Sequence, residues 1–415
     1  MSTGAIGRLA GQLASLDMLN PAASRRRLKA ILMVLLGLAT VLWIVTSARH
    51  AAVAVRETPS PRAQSSGRLP LTSRFVPYLP PSQTPELSPF AVGNSIRLGL
   101  QIENVYGLSL PERTFKAEGW YWLKWSESIN RLLNKKSLAA EDLIRFKNLV
   151  DDDALSIGMS GTSPVRNSDN EYYKRFHFSG MFYIPDLSLA FFPVYRLELP
   201  IVFELRPIGL ACHEKTAGDC VGLVLDAGSK GSMLGDYAEV NGFNLKGIRV
   251  SERAQRQSVN YGIDASIVSG VMAATMIYDT SFFDAFWQYI FPVFVLVVMG
   301  ILSLSLPGSL GDIRVAIPST LLLTLIFLQL GYRSELPALA YSTYLDWLYT
   351  YAYLVSIALF AMFCWGTSYY SKSVQQCREE QALREINRLD FIMQLTATAG
   401  LIAFSVFGLL MASRF

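Results

Sequence analysis

Charge is scarce in this chain. Of its 415 residues only 17% are Asp, Glu, Lys or Arg, while 51% are hydrophobic and the mean hydropathy is +0.29. That balance is too apolar for an ordinary soluble protein, so part of the chain is expected to lie in lipid. The charges present do not gather: 37 Lys and Arg against 33 Asp and Glu leave +4. No basic stripe interleaved with aromatics results, which argues against a nucleic-acid partner. Four cysteines and three histidines supply no CxxC, no HExxH and no Cys/His pair at ligand spacing, so neither a metal nor a cofactor is expected. Enzyme signatures are missing as well. There is no Gly-x-Ser-x-Gly, no phosphate-cradling glycine loop and no His-based triad. His177 sits in a strand pattern and His213 beside Cys212, where structural or exposed roles outweigh catalysis.

Long apolar runs are what the chain has in quantity. Stretches able to cross a bilayer core of roughly 30 Å run over residues 28–48, 286–306, 316–332, 345–365 and 391–412. The third is interrupted by Ser319, Thr320, Thr324 and Gln329. The first reads either as a signal peptide, with 52–54 as a small-residue cleavage site, or as an uncleaved anchor. About 27 residues ahead of it are long for a signal, which favours the anchor. Arg25, Arg26, Arg27 and Lys29 precede the first span, and Lys372, Arg378, Arg384 and Arg388 separate the last two, so both segments are expected in the cytoplasm. Five spans then place residues 49–285 and the C-terminus outside and the loop near 308–314 inside. Arg49, Arg56, Arg62, Arg68 and Arg74 run against the charge asymmetry of the first span.

Residues 1–27 form a cytoplasmic segment, and 49–89, rich in Pro, Ser and Arg, read as an extended linker. From 90 to 285 the texture changes to short alternating runs: SIRLGLQI, FKAEGWYWLKW, KRFHFSGMFYI, YRLELPIVFEL, VNGFNLKGIRV and DASIVSGVMAATMIY. Clusters of Gly, Pro, Asn and Asp separate them, the pattern of a β-sandwich. Residues 137–150 carry a helical pattern instead. Cys364 lies in a span and Cys377 just after it. Only Cys212 and Cys220 share the outer region, where an extracytoplasmic setting would let them pair.

An ionisable residue in mid-membrane would point to function, and none sits mid-span. What remains is the polar-punctuated run from Arg314 to Tyr332, bracketed by Asp312 and Arg314 at one end and by Arg333 and Glu335 at the other. At 3.6 residues per turn, Ala316, Thr320, Leu323, Phe327 and Leu330 share one face. Around an axis that face would form a hydroxyl ring and apolar rings able to close a pore by dewetting. Periodicity does not decide the matter. A Leu-rich helix yields an apolar stripe in almost any direction, and Gln329 points nearly opposite Thr320.

Taken in order, the motifs of residues 90–412 resemble the pentameric ligand-gated ion channels, in particular their bacterial members. TFKAEGWYWLKW is similar to the family's second strand, which ends on a Trp. FSGMFYIPDLSLAFFPVYRLELPIVFEL resembles its signature loop, with Phe192-Pro193 at the tip. QYIFPVFVLVV carries Pro292 where the first channel helix has its proline. Arg314, Leu336-Pro337 and Tyr344-Leu345-Asp346 stand where the family opens its pore helix, closes it and starts the third helix. The fold this implies is an all-β extracellular sandwich, immunoglobulin-like, over residues 90–285, then a four-helix transmembrane bundle over 286–412. The N-terminal transmembrane helix is additional to the family plan.

The resemblance further implies a homopentamer in a bacterial inner membrane, the β-domain periplasmic, contacting lipids, permeant ions and an unknown small external ligand. Ala316, Thr320, Leu323, Phe327 and Leu330 would line the pore. Asp312 would form an intracellular mouth ring favouring cations, or serve simply as a first-turn acid suited to the helix dipole. Phe192, Pro193 and Tyr195 would press on Leu336, Pro337 and Tyr341 to couple the domains, unless these residues serve as ordinary turn packing. Trp120 and Trp122 would face a ligand from one subunit and Tyr237, Arg253 and Tyr261 from its neighbour, unless the tryptophans serve as core or subunit contact. The chain departs from the family in three further places. Tyr195 stands near where an acid commonly follows the loop tip. Cys212 and Cys220 lie after the loop's strand, where a local hairpin disulfide is expected. Pro318 falls inside the expected pore helix, which would begin near Ile317 or kink there.

Overall fold

The computed structural model describes residues 78–79, 95–151, 155–159, 164–166, 171–206, 212–213, 221–229, 233–256 and 267–412. The span expected at 28–48, Cys220 and Tyr261 lie outside the described residues. Among those described, thirteen strands come first: β1 Tyr78–Leu79, β2 Ser95–Ser109, β3 Thr114–Trp125, β4 Ile144–Phe146, β5 Ser156–Met159, β6 Val165–Arg166, β7 Tyr172–Tyr183, β8 Arg196–Leu205, β9 Cys212–His213, β10 Gly222–Leu225, β11 Leu234–Tyr237, β12 Phe243–Arg256 and β13 Ile267–Thr280. One sheet has the order β1-β12-β13-β8-β4, with β9 also on β13. The other has β10-β2-β3-β7-β5, with β11 on β2 and β6 on β7.

Period-two alternation decides which side chains meet between the sheets. In β3, Phe115, Ala117, Tyr121, Leu123 and Trp125 are buried, while Lys116, Glu118, Trp120, Trp122 and Lys124 point the other way. The Tyr121 ring stacks on Phe176 of its own sheet at 4.9 Å and meets Phe146 at 5.8 Å and Phe203 at 6.0 Å across from it. Phe146 in turn lies 5.3 Å from Phe178 and 5.0 Å from Phe203. Burying rings of this size contributes about 1.5–3 kcal/mol each, so the aromatic layer holds the two sheets against one another.

Two local expectations are corrected. No helix occupies 137–150; the helix of this region is α1, Glu127–Lys135, which buries Ile129 and Leu133 one turn apart. Ser137 has φ +51° and ends the helical run. Beyond a single 3-10 turn, Ile144 and Phe146 pair with Leu205 and Phe203 as strand β4. The apolar spacing that looked helical therefore feeds a sheet edge. The stretch read as linker also contributes to structure, since Tyr78 and Leu79 pair in parallel with Ile248 and Arg249.

Four helices long and apolar enough to cross a membrane come next among the described residues: α2 Phe282–Ser303, α3 Gly311–Ser334, α4 Tyr344–Gln375 and α5 Glu379–Ala412. This is a membrane protein with a sheet-rich region ahead of its helices. In α2 a π-helical segment, Phe286–Ile290, immediately precedes Phe291-Pro292, where proline removes a donor from the ladder. Three helices begin several residues earlier than the expected spans, and α4 runs well past its span. Hydropathy ends where charge begins, whereas a helix continues through Lys372 or Arg384 as long as one face stays packed.

The start of α3 also differs from expectation. It runs from Gly311 straight through Pro318, which is buried inside it. The turns ahead of the proline are held from outside. Arg314 is ion-paired with Asp390 of α5, and Gly311 lies so close to Thr367 of α4 that a Cβ there would come within 2.6 Å of its side chain. Helix α5 is fastened along its length by tyrosines of α4, whose hydroxyls donate to backbone carbonyls: Tyr351 to Ala397, and Tyr344 to Phe404 at 3.1 Å.

Truncation of Phe146 tests the aromatic layer. Phe146→Ala is expected to destabilise the protein by about 3–5 kcal/mol, read from denaturant unfolding of the detergent-solubilised chain by tryptophan fluorescence. A cost below about 1 kcal/mol would show that this ring does not hold the sheets together.

Candidate functional site

The loop from Ile184 to Tyr195, between β7 and β8, contains a cis Phe192–Pro193 peptide bond and is seated on the helix ends nearest the sheets. Leu189 N–H donates to the Tyr341 hydroxyl oxygen at 2.9 Å, and Tyr344 N–H donates to the Ala190 carbonyl at 2.9 Å. Phe192 is buried, its ring 4.9 Å from Tyr289 of α2 and stacked at 6.2 Å on Tyr332 of α3. Pro193 and Tyr195 are buried as well. Tyr195 exchanges hydrogen bonds with Thr280 at the end of β13, at 3.0 and 3.2 Å, and burial pushes its phenol well above the usual range. Leu336 is buried and Pro337 half-buried. The loop's ring contacts fall on Tyr289 and Tyr332, while Tyr341 takes part through its hydroxyl.

Beneath this loop one carboxylate gathers the helix ends. Asp346, in the first turn of α4, accepts from the Tyr332 hydroxyl, from Arg333 Nη2 at 2.7 Å and from Thr343 N–H at 2.8 Å. Its own N–H donates to Thr343 Oγ1 at 3.2 Å, closing a capping box. Nearby, the Tyr289 hydroxyl donates to Glu335. Asp346, Tyr332 and Tyr289 were not among the expected site residues. The signal available was Thr343-x-x-Asp346 ahead of an apolar run, a capping box legible in the sequence.

Helix α3 is covered on one side only. Arg314, Leu321, Leu325 and Tyr332 are buried, whereas Asp312, Ala316 and Thr320 are exposed and Leu323, Phe327 and Leu330 are 56%, 65% and 62% exposed. The hydroxyls near this face are satisfied within the helix, Thr320 donating to Ile317 O at 2.8 Å and Thr324 to Thr320 O at 2.9 Å. Gln329 is held on the packed side by the Tyr353 hydroxyl at 2.6 Å. At the N-terminal end of α3 Asp312 stands exposed in the first turn, while Arg314 lies against Asp390 at 2.6 Å with its Cζ 4.3 Å from the Phe363 ring centroid. Severing such a buried pair costs about 3–5 kcal/mol, because the remaining charge is stranded.

The outward face of β3 is already occupied by its own sheet. Trp120 donates from Nε1 to Glu103 at 3.0 Å, carries the Arg175 guanidinium at 4.4 Å over its ring and meets His177 edge-on at 4.8 Å. Trp122 donates to Asp226 at 2.9 Å and lies so close over Gly99 that a Cβ there would sit 2.0 Å from the indole. Tyr237 on β11 is 76% exposed, and Arg253 is exposed on β12 of the other sheet. Tyr237 thus belongs to the sheet that carries the tryptophans, through β2, and Arg253 to the other sheet. Cys212 pairs with Val268 in strand β9; its expected partner lies outside the described residues. Among the described residues, no group of three or more His, Cys, Asp or Glu is placed to hold a metal ion.

No protein-family model and no curated protein sequence matches the chain.

The clamp at Asp346 and the carboxylate under Trp122 each carry a measurable consequence. Asp346→Asn weakens the charge-assisted bonds from Tyr332 and Arg333 and is expected to cost about 1–3 kcal/mol, measured by thermal melting in detergent; an unchanged midpoint would remove Asp346 from its role. The second consequence concerns acid. Burial raises the Asp226 pKa, but hydrogen bonds from Lys124 and Trp122 and the Lys124 charge outweigh it, so the folded value lies below the ordinary one. A depressed folded pKa contributes stability above the unfolded value of about 4 and loses it as pH falls through the folded value. Melting midpoints should therefore drop below about pH 4, and Asp226→Asn should be less stable at neutral pH with a shallower acid slope. A parallel acid slope in the variant would contradict this.

Proposed function

We propose that this chain is a subunit of a homopentameric ligand-gated ion channel in a bacterial inner membrane, its β-rich region folded as a sandwich on the periplasmic side. The observation that carries the reading is the seating of loop 184–195 on Tyr289, Tyr332 and Tyr341, at the outer end of a helix whose opposite face is left uncovered. A membrane helix exposing Asp312, Thr320, Leu323, Phe327 and Leu330 in register presents a graded stripe, acidic and hydroxylated below, apolar above. Around a fivefold axis this stripe becomes stacked rings. Asp312 favours cations at the inner mouth, and Leu323, Phe327 and Leu330 hold the closed pore dry until it widens.

An external ligand or proton signal acts on the sheets, and the loop conveys it. Displacement of Phe192 is felt by Tyr332, which shares Asp346 with the start of α4. A ligand between neighbouring subunits would touch Trp120 and Trp122 of one and Tyr237 and Arg253 of the next. Arg253 stands on β12 of the sheet that does not contain the tryptophans, which supports its contribution coming from a neighbouring subunit.

Purified protein in planar bilayers tests the reading, with current recorded across pH steps and a panel of small amines, amino acids and carboxylates. Leu323→Ser removes about 2 kcal/mol of apolar contact from the closed ring, and a rise in resting current of more than about tenfold is expected, since 1.4 kcal/mol corresponds to a factor of about ten. Absence of current from both proteins under every condition would overturn the channel reading and favour a non-conducting membrane sensor or scaffold. Averaged images of the particle down its axis should show fivefold symmetry.

A further inference from the structure

Two opposite charges sit two residues apart at the inner end of α3, Asp312 and Arg314. Their environments differ. Asp312 is exposed on the uncovered face, whereas the Arg314 side chain is 3% exposed and paired at 2.6 Å with Asp390 of α5, whose side chain is 7% exposed. Two helical residues turn the chain by about 200°, which sends the two side chains to opposite sides of the helix.

Resting on the channel reading above, we propose that Asp390, 76 residues downstream and on the last helix, sets the ion selectivity of the inner mouth. It does so by neutralising Arg314 inside the bundle. An ion pair closed to 2.6 Å presents a dipole, whose field decays with distance faster than that of a lone charge, so Asp312 alone acts at full strength on ions entering the mouth. Without Asp390, each subunit would carry one negative and one uncompensated positive charge in the same two turns. The ring's preference for cations would be cancelled. Asp390 is thus a positioning residue for charge, acting through Arg314 and not by contact with the ion. The Phe363 ring under the guanidinium holds Arg314 in place but adds no formal charge to the balance.

Reversal potentials across a KCl gradient, recorded from the full chain in bilayers, test the proposal. Asp390→Asn should lower the cation-over-anion permeability ratio about tenfold, and Asp312→Asn should lower it as well. Asp390→Glu should keep the wild-type ratio. The double variant Arg314→Gln with Asp390→Asn, which strands no charge, should restore the ratio to within about twofold of wild type. It also remains informative if Asp390→Asn alone fails to assemble. A conducting Asp390→Asn channel with the wild-type ratio, or a double variant that has lost cation preference, overturns the role of Asp390 and leaves the channel reading intact. A wild-type protein that passes no ions overturns both.

Discussion

Asp346 is where the halves of the molecule depend on one another. A carboxylate at the edge of an apolar helix bundle is costly unless its oxygens are fully bonded, and here they accept hydrogen bonds from Tyr332, Arg333 and Thr343. The acceptor thereby fixes the end of α3 to the beginning of α4. Tyr332, held by its hydroxyl, offers its ring to Phe192 on one side and to Tyr349 at 5.2 Å on the other. The loop of the β-rich region has a defined surface to rest on because that ring cannot turn freely.

The N-terminal end of α3 is tied by a second ion pair, Arg314 with Asp390. Both anchors lie on the packed side of α3, and between them the buried positions include Leu321 and Leu325. With two polar clamps at its ends and leucines between, the helix is fixed in rotation, so the residues left uncovered are the same along its whole length. That constancy is what allows a single face to carry a graded chemistry from Asp312 to Leu330.

Much of this was legible beforehand. Alternation in FKAEGWYWLKW and KRFHFSGMFYI placed β3 and β7, because a strand with one face buried has to alternate. The apolar runs placed four helices, because a lipid core demands length. The failures share a cause. Residues 137–150 have apolar spacing compatible with a helix turn, and only the pairing of Ile144 and Phe146 with β8 selects the strand. Pro318 argued for a helix start near Ile317 or a kink there; the later start does not occur, because contacts of Arg314 and Gly311 with α5 and α4 keep the first turns wound. Apart from those failures, alternation placed Trp120 and Trp122 on the outward face of β3, and there Arg175, Asp226 and Gly99 engage their rings. Nothing in the local pattern announces partners that distant.

By itself, then, the sequence determined the features that periodicity and composition control: a strand-rich region, apolar helices of membrane length after it, and a helix with a mixed stripe. Tertiary structure alone decided which side of that helix stays uncovered, that Phe192 meets Tyr289 and Tyr332, and that Arg314 is cancelled by Asp390. The physical reason is range. Secondary structure is specified by neighbours within a turn or two along the chain, whereas charge compensation and ring packing depend on residues tens of positions apart that meet only when the helices assemble.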